Sequence, residues 1–132
     1  MTNKGRRSKD DIEWSRLREV LRKRDKYCRL TECLTIRESK LIKEVGGRLD
    51  CAHLFSAANY PELIYEKRNV YRINSTSHRM LDEFKDPVTG EFLDRNKHQW
   101  WWWRVSRKTT EPYDPETNYE ELNLEYVKGK DN

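Results

Sequence analysis

Residues 50–82 read DCAHLFSAANYPELIYEKRNVYRINSTSHRMLD, and the fold turns on how this stretch is parsed. Arg48 to Leu54 has the length and composition of a strand, and Val70 to Ile73 of a second. Between them Ala57-Ala58-Asn59-Tyr60-Pro61 reads as loop. Ser75 is suited to cap a helix that runs to about Phe84. The order is therefore strand, loop, strand, helix. Polar side chains fall at its junctions: His53 ends the first strand, Asn69 precedes the second, and His78 sits in the first helical turn with Asp82 one turn later. Residues at i and i+4 share a helix face, so His78 and Asp82 can reach one ion together. Strand alternation projects Asp50 from the face opposite His53.

Outward from this stretch, residues 1–8 read as a flexible basic arm. Ser8 with Asp11 forms a capping-box signal, and Asp10, Asp11 and Glu13 favour a helix start. Ile12, Trp14, Leu17, Val20 and Leu21 fall near helical spacing and predict a helix from about Lys9 to Asp25. Arg16, Arg18, Arg22, Lys23 and Arg24 occupy its other faces; a solvated surface and a DNA contact both account for them. A short helix is expected over Ser39–Val45, stopped by Gly46-Gly47. Asp86-Pro87-Val88-Thr89-Gly90 signals a turn, and a further helix is expected over Asp94–Lys108. Residues 109–132, with Pro112 and Pro115, read as an acidic, extended tail. The fold class expected is α+β, with one domain over residues 9–108.

The chain has 132 residues, of which 35% are hydrophobic and 38% charged, so its core must be small. Five Trp, seven Tyr and three Phe supply large buried areas for a compact centre. The net charge of +4 is unevenly placed: residues 111–132 carry seven acidic side chains against two lysines, which leaves +9 on residues 1–110. A basic body suits a polyanion such as nucleic acid. No apolar run is long enough to span a membrane, and the N-terminus lacks the apolar segment of a signal peptide. Three cysteines do not suggest a disulfide framework, and a reducing cytoplasm is the expected compartment.

The motif Asp50-Cys51-Ala52-His53, followed by Asn69 to His78 at a spacing of nine, resembles the HNH endonucleases, the ββα-metal nucleases. The text from Ala52 to Phe92 is especially similar to small HNH proteins of bacteriophages, which work in the host bacterial cytoplasm. The resemblance implies a ββα-metal core of a two-stranded hairpin and a helix, with flanking N- and C-terminal helices. It implies a hydrolase that cuts DNA phosphodiester bonds with a divalent ion, Mg²⁺ or Mn²⁺ first and Zn²⁺ or Ni²⁺ as alternatives. His53 would be the general base, suited by a pKa near neutrality. His78 would ligate metal, Asn69 would brace the loop and orient the base, or ligate metal as in some branches, and Asp82 matches a second helix ligand. His53 should then face His78 and Asp82 across the hairpin.

Two positions depart from the family pattern. The residue before the base, a metal-binding Asp or His in many members, is Ala52; Asp50 is the nearest carboxylate and the remaining candidate ligand. The second cysteine pair of the structural zinc site would fall at Asn74 and Ser77, which are not thiols. With Cys28, Cys33 and Cys51 alone, no four-cysteine site can form, so no structural zinc is expected. A second reading follows from Ala52: an HNH scaffold that binds DNA or protein without cutting. Arg72, Arg79, Arg104 and Arg107 are candidate nucleic-acid contacts. His98 lies outside the pattern. Trp100 to Trp103 point all round a helix; two are expected in the core and two over Trp14 or the tail, with a protein partner or base stacking as alternatives.

Overall fold

The computed structural model describes residues 8–42 and 47–129. The arm before Ser8, and the Val45–Gly46 end expected for the short helix, lie outside the described residues. Among the described residues the architecture is α+β, with five α-helices and one two-stranded antiparallel sheet. The elements are α1 (Lys9–Arg24), α2 (Ile36–Leu41), β1 (Leu49–His53), β2 (Val70–Asn74), α3 (Ser75–Asp82), α4 (Arg95–Arg107) and α5 (Tyr119–Val127).

Capping explains most of the helix boundaries. Ser8 Oγ accepts from the Asp11 amide at 3.1 Å and Asp11 Oδ2 accepts from the Ser8 amide at 3.4 Å, so α1 starts where its sequence signal lies. The α2 helix begins earlier than expected, because Thr35 and Glu38 form a second capping box. The α3 cap is Asn74 rather than Ser75: Asn74 Oδ1 accepts from the Ser77 amide at 2.8 Å. This helix stops at Asp82, short of Phe84, which adopts a φ of 54°. The Phe84 ring stacks on His98 with centroids 3.8 Å apart, a contact that offsets the strain of a left-handed non-glycine residue.

The sheet separates two packed layers. Asp50 pairs with Ile73, Ala52 with Tyr71, and His53 with Val70. Alternation sends Ala52, Tyr71 and Ile73 into the main core, beside Leu81 of α3 and Trp101, Trp102 and Val105 of α4. On the other face Val70 and Cys51 meet Leu17 and Leu21 of α1. Full burial of a side chain such as Leu21, Ile73 or Leu81 contributes about 1.5–3 kcal/mol each. Ile12 and Val20, expected on the same stripe of α1, remain exposed.

The segment after Thr109 corrects the expectation of an extended tail. It turns back, and α5 packs on α4, burying Tyr119, Asn123 and Val127. Asn123 Nδ2 donates to the Gln99 carbonyl at 2.9 Å, and its Oδ1 accepts from Arg107 at 3.1 Å. The tryptophan run is thereby covered from within the chain. Trp101 and Trp102 are buried, Trp100 meets Tyr113, and Trp103 meets Tyr119. The surface expected for a protein partner is taken by residues 113–119, and Trp14 lies elsewhere, against His53 and Tyr65.

One buried carboxylate, Asp25, and one half-buried, Glu38, fasten these layers. Asp25 accepts from Arg24 at 2.7 and 2.9 Å, from Arg29 at 3.0 Å and from the Arg72 amide at 3.1 Å. Its own burial pushes the carboxyl upward, but these donors, Arg24 foremost, hold it below the usual range. Glu38 receives both Arg104 nitrogens, at 2.6 and 2.9 Å, and is held low in the same way against its burial. Arg104 packs against both the Trp100 and Trp101 rings and is 1% exposed. That placement corrects its expected role as a nucleic-acid contact: a guanidinium sealed against Glu38 and the Cys33 carbonyl is an interior tie between α2 and α4.

Candidate active site

His53 closes β1 on the α1 side. Its ring meets Trp14 edge-on, with centroids 5.6 Å apart, and its Nε2 lies 3.0 Å from the Ile64 carbonyl oxygen. A carbonyl can only accept, so the neutral ring carries its proton on Nε2 and its lone pair on Nδ1. Among the described residues Nδ1 has no hydrogen-bond partner, which leaves it able to take a proton.

Asn69 fixes the loop that supplies this carbonyl. Its Oδ1 accepts from the Phe55 amide at 2.7 Å, and its Nδ2 donates to the Phe55 and Leu63 carbonyls, both at 3.0 Å. The side chain is fully buried, so these bonds form away from competing water. They clamp both ends of the loop, next to Leu54 on one arm and Ile64 on the other. Asn69 therefore bears on His53 through the position of the loop, and touches neither Asp50, His78 nor Asp82.

The second group of side chains lies on the α3 side. His78 Nδ1 is 3.0 Å from Asp50 Oδ2, and His78 Nε2 is 3.4 Å from Asp82 Oδ2. The imidazole thus has one carboxylate at each ring nitrogen. Asp50 is steadied in turn by Arg48 at 3.2 Å. Because Asp50 and Asp82 sit at opposite edges of the ring, the three do not converge on one point. Among the described residues no three His, Cys, Asp or Glu side chains do so.

The donor set still fits one divalent ion held by two side chains. Ligands bound at about 2.1 Å stand about 3.0–3.4 Å apart when adjacent. His78 Nε2 and Asp82 Oδ2 have that separation. Asp50 then occupies the outer position that fixes a ligating histidine: it accepts the Nδ1 proton and leaves the Nε2 lone pair free. Of the expected ligands, His78 and Asp82 have the spacing of adjacent donors, and Asp50 lies at the other ring nitrogen of His78.

One expected juxtaposition is not found. His53 does not face His78 and Asp82 across the hairpin. It lies three residues from Asp50 on β1, an odd separation, so the two project to opposite faces. Among the described residues His53 has no hydrogen bond or ring contact with Asp50, His78 or Asp82.

The other candidates divide between surface and frame. Arg79 is exposed beside His78 on α3. Arg72 donates to the Asp25 carbonyl at 2.8 Å, and Arg107 to Asn123 and the Leu122 carbonyl, so both act in packing. His98 is buried, with Nε2 against the Leu81 carbonyl at 2.8 Å, and burial lowers its pKa. Cys28 and Cys33 diverge: Cys28 Sγ accepts from the Asn74 amide at 3.2 Å, whereas Cys33 Sγ–H donates to the Arg29 carbonyl at 3.1 Å. Burial pushes the Cys33 thiol up to about 11.

Sequence reasoning missed Trp14 and the Ile64 carbonyl as neighbours of His53. Trp14 was legible only as part of an apolar stripe, and a backbone carbonyl leaves no residue signature. No protein-family model, no curated protein and no solved structure matches this chain.

Proposed function

We propose that the chain is a metal-dependent endonuclease of the HNH type, of the small bacteriophage kind, that hydrolyses DNA phosphodiester bonds. The observation that carries this reading is the line Asp50–His78–Asp82, at 3.0 and 3.4 Å, on a strand–loop–strand–helix unit whose first strand ends in His53. The basic body, +9 over residues 1–110, supplies attraction for the substrate.

His53 Nδ1 takes a proton from the attacking water as its oxygen bonds to phosphorus, and the Ile64 carbonyl steadies the imidazolium that results. The P–O bond to the leaving sugar oxygen breaks on the far side. A divalent ion, when held by His78 and Asp82, supplies charge stabilisation at the phosphate and the leaving oxygen. Asp50 keeps the His78 tautomer that can ligate.

Ala52 favours a second reading, a scaffold that binds DNA or protein without cutting it. Purified protein incubated with supercoiled plasmid separates the two. The nuclease reading expects nicking in Mg²⁺ or Mn²⁺ that EDTA abolishes. Plasmid that is retarded on a gel yet stays supercoiled in every metal would establish the second reading instead.

A further inference from the structure

We propose that Arg18 binds a backbone phosphate of the nucleic-acid strand whose scissile bond faces His53; this rests on the nuclease reading above. The α1 helix is rich in cations, but most already have a carboxylate partner. Arg16 pairs with Glu13 at 3.9 Å, Arg22 with Glu19 at 2.7 Å, Lys23 with Glu19 at 3.7 Å, and Arg24 with Asp25 at 2.7 Å. Among the described residues, Arg18 alone of the α1 arginines has no carboxylate partner, and it is exposed.

Its position is held by another force. The Arg18 Cζ stands over the Trp14 ring, 5.6 Å from the centroid, one helical turn along α1. The same indole meets His53 edge-on at 5.6 Å. Arg18 and His53 therefore both contact the Trp14 ring, each 5.6 Å from its centroid. The Arg18 charge also acts on the Cys51 thiol, two residues before His53 on the same strand face. A guanidinium bound through its π face keeps its in-plane N–H fork for an anion, and that fork matches phosphate oxygens. Stacking on Trp14 orders it before substrate arrives, which lowers the entropy lost on binding.

The test measures binding of a fluorescent DNA duplex by anisotropy in EDTA, over a range of salt concentrations. Arg18→Ala is expected to weaken binding roughly tenfold, the scale of one charged hydrogen-bonded contact. Its log Kd against log salt slope should fall by about one. Arg18→Lys should regain the slope, because it keeps the charge. Arg16→Ala, on the same helix but paired with Glu13, should stay within about twofold of the parent. In the nicking assay Arg18→Ala should raise KM and leave kcat within about twofold. If the parent binds and cuts DNA while Arg18→Ala matches it, or if Arg16→Ala loses as much as Arg18→Ala, the inference fails and the nuclease reading stands. A parent that neither binds nor cuts DNA overturns both.

Discussion

Replacing His53 by alanine is expected to slow DNA nicking by about a hundredfold to ten-thousandfold, the range that one general base contributes. The melting temperature should drop by no more than about 10 °C, because only one hydrogen bond and one ring contact are lost. The lone hydrogen bond to Ile64 and the Trp14 edge contact are those losses. The effect should fall on kcat, since the imidazole acts on the water and leaves substrate binding to other groups. Circular dichroism melting and single-turnover nicking of the same preparations provide the comparison. A His53→Ala protein that nicks as fast as the parent would remove His53 as the base.

The largest stability effect is expected at Asp25, far from the chemistry. Asp25→Ala should cost about 3–5 kcal/mol, because it leaves the Arg24 and Arg29 guanidiniums without their buried acceptor. Domains of this size have about 5–15 kcal/mol in total, so the variant should be unfolded to a measurable extent at moderate temperature. Asp25→Asn, which keeps an acceptor oxygen, should lose less. The same group predicts acid lability. Its folded pKa lies below the ordinary 3.8, and that of Glu38 below the ordinary 4.5. A depressed carboxyl pKa gives stability that is fully present above the ordinary value and is lost as pH falls through the folded one. Urea midpoints should therefore hold from pH 7 to about 5 and decline below about 4. Equal urea midpoints for the parent and Asp25→Ala would show that the cluster does not fasten α1 to β2.

Much of the architecture is legible in local signals. Ser8 and Asp11 mark the start of α1, Asp94 marks the start of α4, and the apolar text around Asp50 and Val70 gives the paired strands. The spacing of His78 and Asp82 on one helix face also survives, because i,i+4 geometry depends on nothing beyond the helix. What the sequence hides depends on partners distant along the chain. Arg104 beside a tryptophan run looks like a surface cation. Its burial depends on Glu38, 66 positions earlier, and on the Cys33 carbonyl. The α5 helix was obscured because its buried face includes the polar Asn123, which is satisfied by Gln99 and Arg107 of α4. The cap Asn118, which accepts from the Glu121 amide, was the signal available for it.

Asp50 shows how far a periodicity argument reaches. Alternation sets Asp50 and His53 on opposite faces of β1, and the structure keeps that arrangement. Alternation says nothing about which helix covers each face. With α3 over one and α1 over the other, Asp50 meets His78, while His53 meets Trp14. The expectation that both histidines look across one hairpin face fails for that reason.

On the nuclease reading a divalent ion is held between His78 and Asp82, with Asp50 fixing His78 from behind. Calorimetric titration of the His53→Ala protein with Mn²⁺, alone and with a DNA duplex, tests this without turnover. The expected result is weak binding that tightens when DNA supplies a phosphate ligand. No measurable binding is expected once His78→Ala is added, and a smaller loss for Asp82→Ala. Asp50→Asn should weaken binding roughly tenfold to a hundredfold, as expected of an outer hydrogen-bond partner. Undiminished Mn²⁺ binding after His78→Ala would rule out the His78–Asp82 site, as would an Asp82→Ala protein that titrates like its parent while Asp50→Ala binds none.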